Sequence, residues 1–273
     1  MRFSKIFILG MLVVFSISLA AQMEESKEHS GRHCSLRTLK GSYGSFAQGT
    51  ILAQFPGFPK PPYSSVAVGL HIFDGKGNWS LTFARSMGGV IIPWGATSTG
   101  TYTVTPDCEV SVVGSTPSGV STVFVGPITG EGIFQEVHIT YTDAWQVNSG
   151  TLRKTPPWGC SNETLEGKHA VFGQGSVNST QGPVPVAHVG VFVADGDGNF
   201  SGEETVKIAN MTTTDTFSAK YIVNRDCTIS AEITNSSEVV HEVGTITGVG
   251  DFQEGHLIVT DPGWVFADTG KKK

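Results

Sequence analysis

The chain has 273 residues, of which 15% are charged and 34 are glycine, with 18 basic against 24 acidic side chains and a formal net charge of −6. Charged residues fall below the roughly 25% of ordinary soluble domains and glycine exceeds its usual share of about 7%, a balance that suits an all-β protein with many tight turns. The acidic balance argues against nucleic acid as a partner, because the single basic run, Lys271 to Lys273, reads as a solvated C-terminal tail and not as a phosphate-binding patch.

In chain order, Arg2 and Lys5 precede an apolar run from Ile6 to Ala20, shorter than the roughly 20 residues of a membrane-spanning helix. This reads as a signal peptide, residues 1–20, with small residues Ser18 and Ala20 at the cleavage site. Residues 21–33 are polar and read as a disordered leader. Without Arg2 and Lys5 the mature chain keeps 16 basic against 24 acidic residues, a formal charge of −8. Later apolar runs are interrupted within a few residues by Gly, Asp, Asn or Ser, so no membrane span is expected, and the protein is expected to be secreted or periplasmic.

From Cys34 onward the chain states the same pattern twice. Cys34-Ser35-x-x-Thr38-Leu39-x-Gly41 returns as Cys160-Ser161-x-x-Thr164-Leu165-x-Gly167. Asp74-Gly-Lys-Gly-Asn78 returns as Asp195-Gly-Asp-Gly-Asn199, and Tyr102-x-Val104-x-x-Asp107-Cys108 as Tyr221-x-Val223-x-x-Asp226-Cys227. Phe134-Gln-Glu136-x-His138 returns as Phe252-Gln-Glu254-x-His256. A unit that recurs over its whole length is a domain, which gives repeat 1 at 34–154, a stiff Pro-containing linker at 155–159, and repeat 2 at 160–273. The four cysteines sit two per copy, as a disulfide framework in an oxidising compartment requires. Three pairings are formally possible. Duplication favours Cys34 with Cys108 and Cys160 with Cys227, because each ancestral unit closed its own bridge before it was copied.

Short runs rich in Val, Ile, Thr, Phe and Tyr, separated by Gly, Pro, Asn and Asp, predict about eight strands in the first copy. They span 39–50, 65–73, 78–87, 97–105, 108–114, 121–128, 132–142 and 145–152, and the second copy repeats the set. No stretch of ten residues has helical periodicity. Val66, Val68, Leu70 and Ile72 share one face of the second strand, with Val189, Val191 and Val193 in the same phase, so that face is expected to be buried. About eight antiparallel strands in each copy either pair as two sheets or close, and closure removes exposed edges. The predicted fold is therefore all-β, two tandem antiparallel barrels of about eight strands each.

The Asp-Gly-x-Gly-Asn segments place Asp195, Asp197 and Asn199 like the first ligands of a calcium loop, but Phe200 and Val206 stand where such a loop needs Gly and Glu, so a hairpin turn is the reading. Neither cysteine pair has zinc spacing, and no metal or other cofactor is expected. Glu136 and His138, two apart on a strand, project from one face, as do Glu254 and His256. If that face is internal, the pair lines a pocket and can orient a ligand, move a proton or hold a metal; the plainer expectation is an external face or a hydrogen bond closing the barrel floor. Two connections in the first copy are more apolar than their counterparts, 55–63 with Phe55, Phe58 and Tyr63, and 87–94 with Trp94. They mark either a barrel mouth or a contact with the sister domain. Sequons occur at Asn78, Asn162, Asn178, Asn199, Asn210 and Asn235, and no nucleophile elbow, Walker loop, dinucleotide fingerprint or zinc-protease motif is present.

The pattern Cys-x(4)-Leu-x-Gly, Asp-Gly-x-Gly-Asn and Tyr-x-Val-x-x-Asp-Cys resembles a group of secreted, mostly uncharacterised proteins with an allene oxide cyclase-like, calycin-like barrel. The resemblance covers both copies and implies eight-stranded barrels with an internal pocket for an apolar small molecule. Plant members with this fold isomerise a fatty-acid epoxide, but none of their functional residues matches a position here. The expected function is non-enzymatic binding of a small hydrophobic ligand or surface partner; the alternatives are a cyclase-like isomerase of a lipid-derived substrate using Glu136 and His138, or a purely structural extracellular module.

Overall fold

A computed structural model describes residues 33–273; the expected signal peptide and nearly all of the leader lie outside the described residues. Alternating apolar strands separated by glycine-rich turns give two closed barrels. Barrel 1 runs β1 (Gly41–Ile51), β2 (Tyr63–Phe73), β3 (Asn78–Met87), β4 (Val90–Val104), β5 (Glu109–Ser115), β6 (Ser121–Thr129), β7 (Glu136–Tyr141) and β8 (Gln146–Lys154). Barrel 2 repeats it as β9 (Gly167–Ser179), β10 (Gly182–Ala194), β11 (Asn199–Ile208), β12 (Met211–Val223), β13 (Thr228–Thr234), β14 (Val239–Thr247), β15 (Glu254–Val259) and β16 (Trp264–Lys272). Each strand pairs antiparallel with the next, and β8 on β1 and β16 on β9 close the rings. Closure satisfies every strand edge internally.

The repeated motifs have local physical causes. In Cys-Ser-x-x-Thr-Leu, the threonine hydroxyl accepts from the serine amide (Ser35 N to Thr38 Oγ1 3.0 Å; Ser161 N to Thr164 Oγ1 2.9 Å) and winds one 3₁₀ turn. That turn drops Leu39 or Leu165 into the barrel floor, where both are buried. The tyrosines of the repeated Tyr-x-Val pattern then fasten it, Tyr102 through Leu36 O (2.9 Å) and Tyr221 through Asn162 O (3.1 Å). The disulfides are Cys34–Cys108 and Cys160–Cys227, with partners 74 and 67 positions apart in sequence; loops of that length contribute on the order of 4 kcal/mol each in the chain-entropy model. In the Asp-Gly-x-Gly-Asn turns, Asp74 Oδ1 accepts from Lys76 N and Asn78 N, and Asp195 Oδ1 from Asp197 N and Asn199 N. Gly77 and Gly198 sit at φ of +108° and +110°, where a side chain is strained. The Asp74 and Asp195 carboxylates thus brace the turn.

Three features depart from the sequence reading. Lys271 and Lys272, read as part of a solvated tail, end β16, and Lys271 pairs with Glu254 at 2.6 Å. The 87–94 segment is a tight turn at Gly88–Gly89 followed directly by β4, and not an apolar loop; the polar twin at 207–214 is likewise a hairpin of β11 and β12. The stripe expected to be buried is the outer face of β2. Val66 and Val68 are buried because barrel 2 covers them, whereas Val189 and Val193 of the second copy are 60% and 55% exposed. Inside barrel 1 the core is aromatic, with Tyr43, Phe73, Trp79, Tyr102 and Phe124 interlocked edge to face.

The barrels share a core. The outer face of β1–β3 meets β14–β16, where Val66, Val68 and Ala84 pack with Ile258, Val265 and Ala267. Phe46 stacks on His256 with centroids 5.8 Å apart. A Cβ on Gly44 would lie 2.6 Å from Thr245 Oγ1 and Thr247 Cγ2, so glycine there permits the approach.

Candidate functional site

Along β3 the alternation turns Leu81, Phe83, Arg85 and Met87 into barrel 1, while β1 and β2 supply Ser45, Ala47, Ala67 and His71. Ala47 stands in register with Ala67 on one side and Gly150 on the other. Three neighbouring strands thus carry almost no side chain at one level, and the space is a cavity of about 830 Å³, within the range of small-molecule sites. Its mouth is framed by Phe55 and Phe58 from the β1–β2 loop, by 116–118 and by Trp145. Gln54 shapes that loop, its Nε2 donating to the carbonyls of Phe55 and Phe58 at 3.0 and 3.1 Å. Phe55 packs edge-on against Trp145 at 5.5 Å.

His71 lies on the cavity wall, fully buried. Trp79 Nε1 can only donate and does so to His71 Nδ1 at 3.0 Å, which places the ring proton on Nε2, facing Ser45 Oγ at 3.0 Å. Both nitrogens are committed, and burial pulls the imidazole pKa down to about 3. This histidine is neutral and structural.

Arg85 is the polar feature of the mouth. Only 8% exposed, it donates from Nε to Ser65 Oγ (2.7 Å) and from Nη2 to Gln146 Oε1 (2.8 Å), and its guanidinium lies 5.1 Å over the Trp145 ring. Burial draws its pKa down to about 10, so it stays cationic at neutral pH. Gln146 is held in turn by Asp143, which accepts from its Nε2 (3.0 Å), from Ser121 Oγ (2.7 Å) and from Val123 N (2.9 Å).

Barrel 2 fills the same level. The repeated registers equate Ala47, Ala67 and Gly150 with Gly173, His188 and Asp268. They equate Phe83 with Glu204 and Phe124 with Glu242. His188 bonds Glu204 through Nδ1 at 2.6 Å and Asp268 through Nε2. Burial opposes its charge, but the hydrogen bonds it donates to Asp268 and Glu204 prevail and raise its pKa to about 10. Glu242, buried beside Asp268, is pushed well above the usual carboxylate range by desolvation and by that neighbour. This ionic plug leaves a cavity of about 70 Å³.

The sequence-derived candidates are distributed as follows. Phe55 and Phe58 line the mouth, and Tyr63 lies beneath them with a buried, unsatisfied hydroxyl. Trp94 does not line the mouth; it packs with Val66, Val68 and Ile258 at the junction of the barrels. Glu136, His138, Glu254 and His256 do not line a barrel interior either, because the 3₁₀ turns at Gly132–Phe134 and Gly250–Phe252 set the strand phase that turns them outward, where Glu136 and Glu254 border a surface cleft of about 490 Å³. They form an ionic seam between barrels: Arg153 pairs with Glu136 at 2.7 Å and with Glu254, which also takes Lys271 at 2.6 Å. Burial alone would raise the Glu254 pKa, but His256, Lys271 and Arg153 hold it at about 2. The neighbouring glutamines close the barrel floors instead, Gln135 accepting from Tyr43 Oη and Gln253 donating to Thr164 O at 2.7 Å. Sequence reasoning passed over Arg85 and His71. The available signal for Arg85 was its phase: a lone arginine in step with Leu81, Phe83 and Met87 belongs to the inner face.

No family model matches the chain, and no curated protein matches it. Among solved structures, Rv2717c from M. tuberculosis is 14% identical with a TM-score of 0.24, covering 87% of this chain and 94% of its own. A protein assigned as AttH (NE1406) from Nitrosomonas europaea is 8% identical with a TM-score of 0.26, covering 85% of this chain and 92% of its own. Likenesses at these scores carry no argument about either the site or the activity.

Proposed function

We propose that the chain is a secreted binding protein in which barrel 1 encloses a small apolar molecule without transforming it, while barrel 2 serves as its structural partner. The observation that carries this reading is the cavity of about 830 Å³ in barrel 1, against about 70 Å³ at the same level of barrel 2. The disulfides and the apolar N-terminal run support export. An allene oxide cyclase-like relationship agrees with such a pocket. Catalysis is disfavoured because the acid–base pair that the isomerase reading required, Glu136 and His138, is on the outside, and the cavity's histidine has both ring nitrogens committed.

The test is titration of the mature protein with N-phenyl-1-naphthylamine, an apolar fluorescent probe. One site per chain is expected, and Ala67→Trp, which fills the cavity, is expected to weaken binding at least about tenfold, as loss of most of the buried contact requires. Native mass spectrometry of protein from its own host, before and after solvent extraction, identifies what occupies the site. Two equivalent sites, no binding, or chemical turnover of the bound molecule would each overturn the reading.

A further inference from the structure

Resting on that reading, we infer that barrel 1 selects amphiphiles with a carboxylate head, which sits on Arg85 at the mouth while the apolar body runs inward. A guanidinium in an apolar cavity is costly unless an anion compensates it. Arg85 bonds two neutral acceptors, Ser65 Oγ and Gln146 Oε1, and among the described residues no carboxylate lies within ion-pairing distance of it. Asp143, the carboxylate that acts on it alongside the phenols of Tyr141 and Tyr63, has its oxygens engaged by Ser121, Val123 N and Gln146. Nη1 donates to nothing among the described residues. With Nε and Nη2 fixed and the plane held against Trp145, the remaining edge of the fork is presented in one orientation.

Comparison with the second copy separates this arrangement from a requirement of the fold. The positions equivalent to Arg85, Ser65, Gln146 and Asn148 are Val206, Val186, Trp264 and Phe266, and they pack together as an apolar cluster. A barrel of this kind closes its mouth without any charge. Barrel 1 departs from that solution at each of these positions, and the departure builds a cation with its supports beside the apolar cavity of about 830 Å³. A planar carboxylate matches a guanidinium edge in shape and carries the single charge it lacks.

The measurement is the affinity of the mature wild-type protein for dodecanoate, 1-dodecanol and dodecylammonium at pH 8, below their micelle-forming concentrations. Dodecanoate is expected to bind roughly 10- to 100-fold more tightly than dodecanol, the range of a charge-assisted hydrogen bond in a dry site. Dodecylammonium is expected to bind most weakly. Arg85→Met is expected to bring dodecanoate to the level of dodecanol, with its thermal midpoint confirming that it folds. Equal affinity of the wild-type protein for dodecanoate and dodecanol would overturn the carboxylate seat while the apolar site stands. Failure of all three ligands together with the naphthylamine probe would remove both.

Discussion

The two barrels share a strand plan, a disulfide, a floor and a turn, and they oppose each other in how polar groups are distributed along the axis. Barrel 1 has an apolar cavity at mid-height with a cation at its mouth; barrel 2 is ionic at mid-height and apolar at its mouth. After duplication, then, the shell was kept while the two interiors diverged. A shell held by backbone pairing and a buried floor tolerates either interior, provided that each buried charge finds a partner. In barrel 2 the partners are internal; in barrel 1 the arginine's partner has to come from outside.

The largest expected effect tests this difference. His188→Leu leaves Glu204, Asp268 and Glu242 facing one another without their cation, and removing one member of a buried ionic group costs about 3–5 kcal/mol. Arg85→Met in barrel 1 breaks no ion pair and fills its place with apolar volume, so the change is expected to stay within about 1 kcal/mol of zero. Urea unfolding of both variants at pH 7 checks the pair. Equal costs would mean that Arg85 is already compensated inside the protein.

The histidines of the two barrels predict opposite limbs of a pH profile. His71 has a folded pKa of about 3, below its ordinary 6.5. The unfolded chain therefore takes up a proton that the folded one refuses, and stability present above pH 6.5 is lost as pH falls towards 3. His188, at about 10, holds a proton that the unfolded chain releases; its contribution is present below pH 6.5 and is lost as pH rises towards 10. Each limb has a slope of up to about 1.4 kcal/mol per pH unit. Glu254, at about 2, adds a further loss as pH falls below 4.5. Glu242, held well above the usual carboxylate range by burial, adds to the loss as pH rises; in unfolding free energies measured from pH 4 to 9 the acid limb is expected to be flattened in His71→Leu and the alkaline limb in His188→Leu. A profile unchanged by either substitution breaks the assignment.

The shell was legible because its determinants are local: glycine-bracketed turns, alternating runs and cysteines in equivalent places each specify backbone geometry within a few residues. The interior was not, because a closed barrel packed on its twin is apolar on both faces in places. Val66 and Val68 read like core residues and are core, but of the junction. For Glu136 and His138 the external face was the plainer expectation but not a settled one, because nothing in Phe-Gln-Glu-x-His shows that the 3₁₀ turn before it sets the phase and gives Gln135 the inward position. The cavity itself comes from small residues that are far apart in sequence, Ala47, Ala67 and Gly150, and it becomes visible only when strand register brings them side by side.

The smallest expected effect concerns the outer faces. Phe46 and Phe172 are equivalent, each in register with a valine, Val68 and Val189. Phe46 is partly buried on His256 and the junction cluster, whereas Phe172 is 47% exposed. Phe46→Ala removes stacking and part of a shared core, so a loss of about 2 kcal/mol is expected, less than the 3–5 of a fully enclosed phenylalanine. Phe172→Ala is expected to change stability by no more than about 0.5 kcal/mol, as for surface substitutions generally. Thermal denaturation of the two variants at several protein concentrations makes the comparison decisive. If Phe172→Ala costs as much as its twin, and the cost grows with concentration, the outer face of barrel 2 is covered in solution as that of barrel 1 is. Its apolar residues would then be retained for packing and not left over from the duplication.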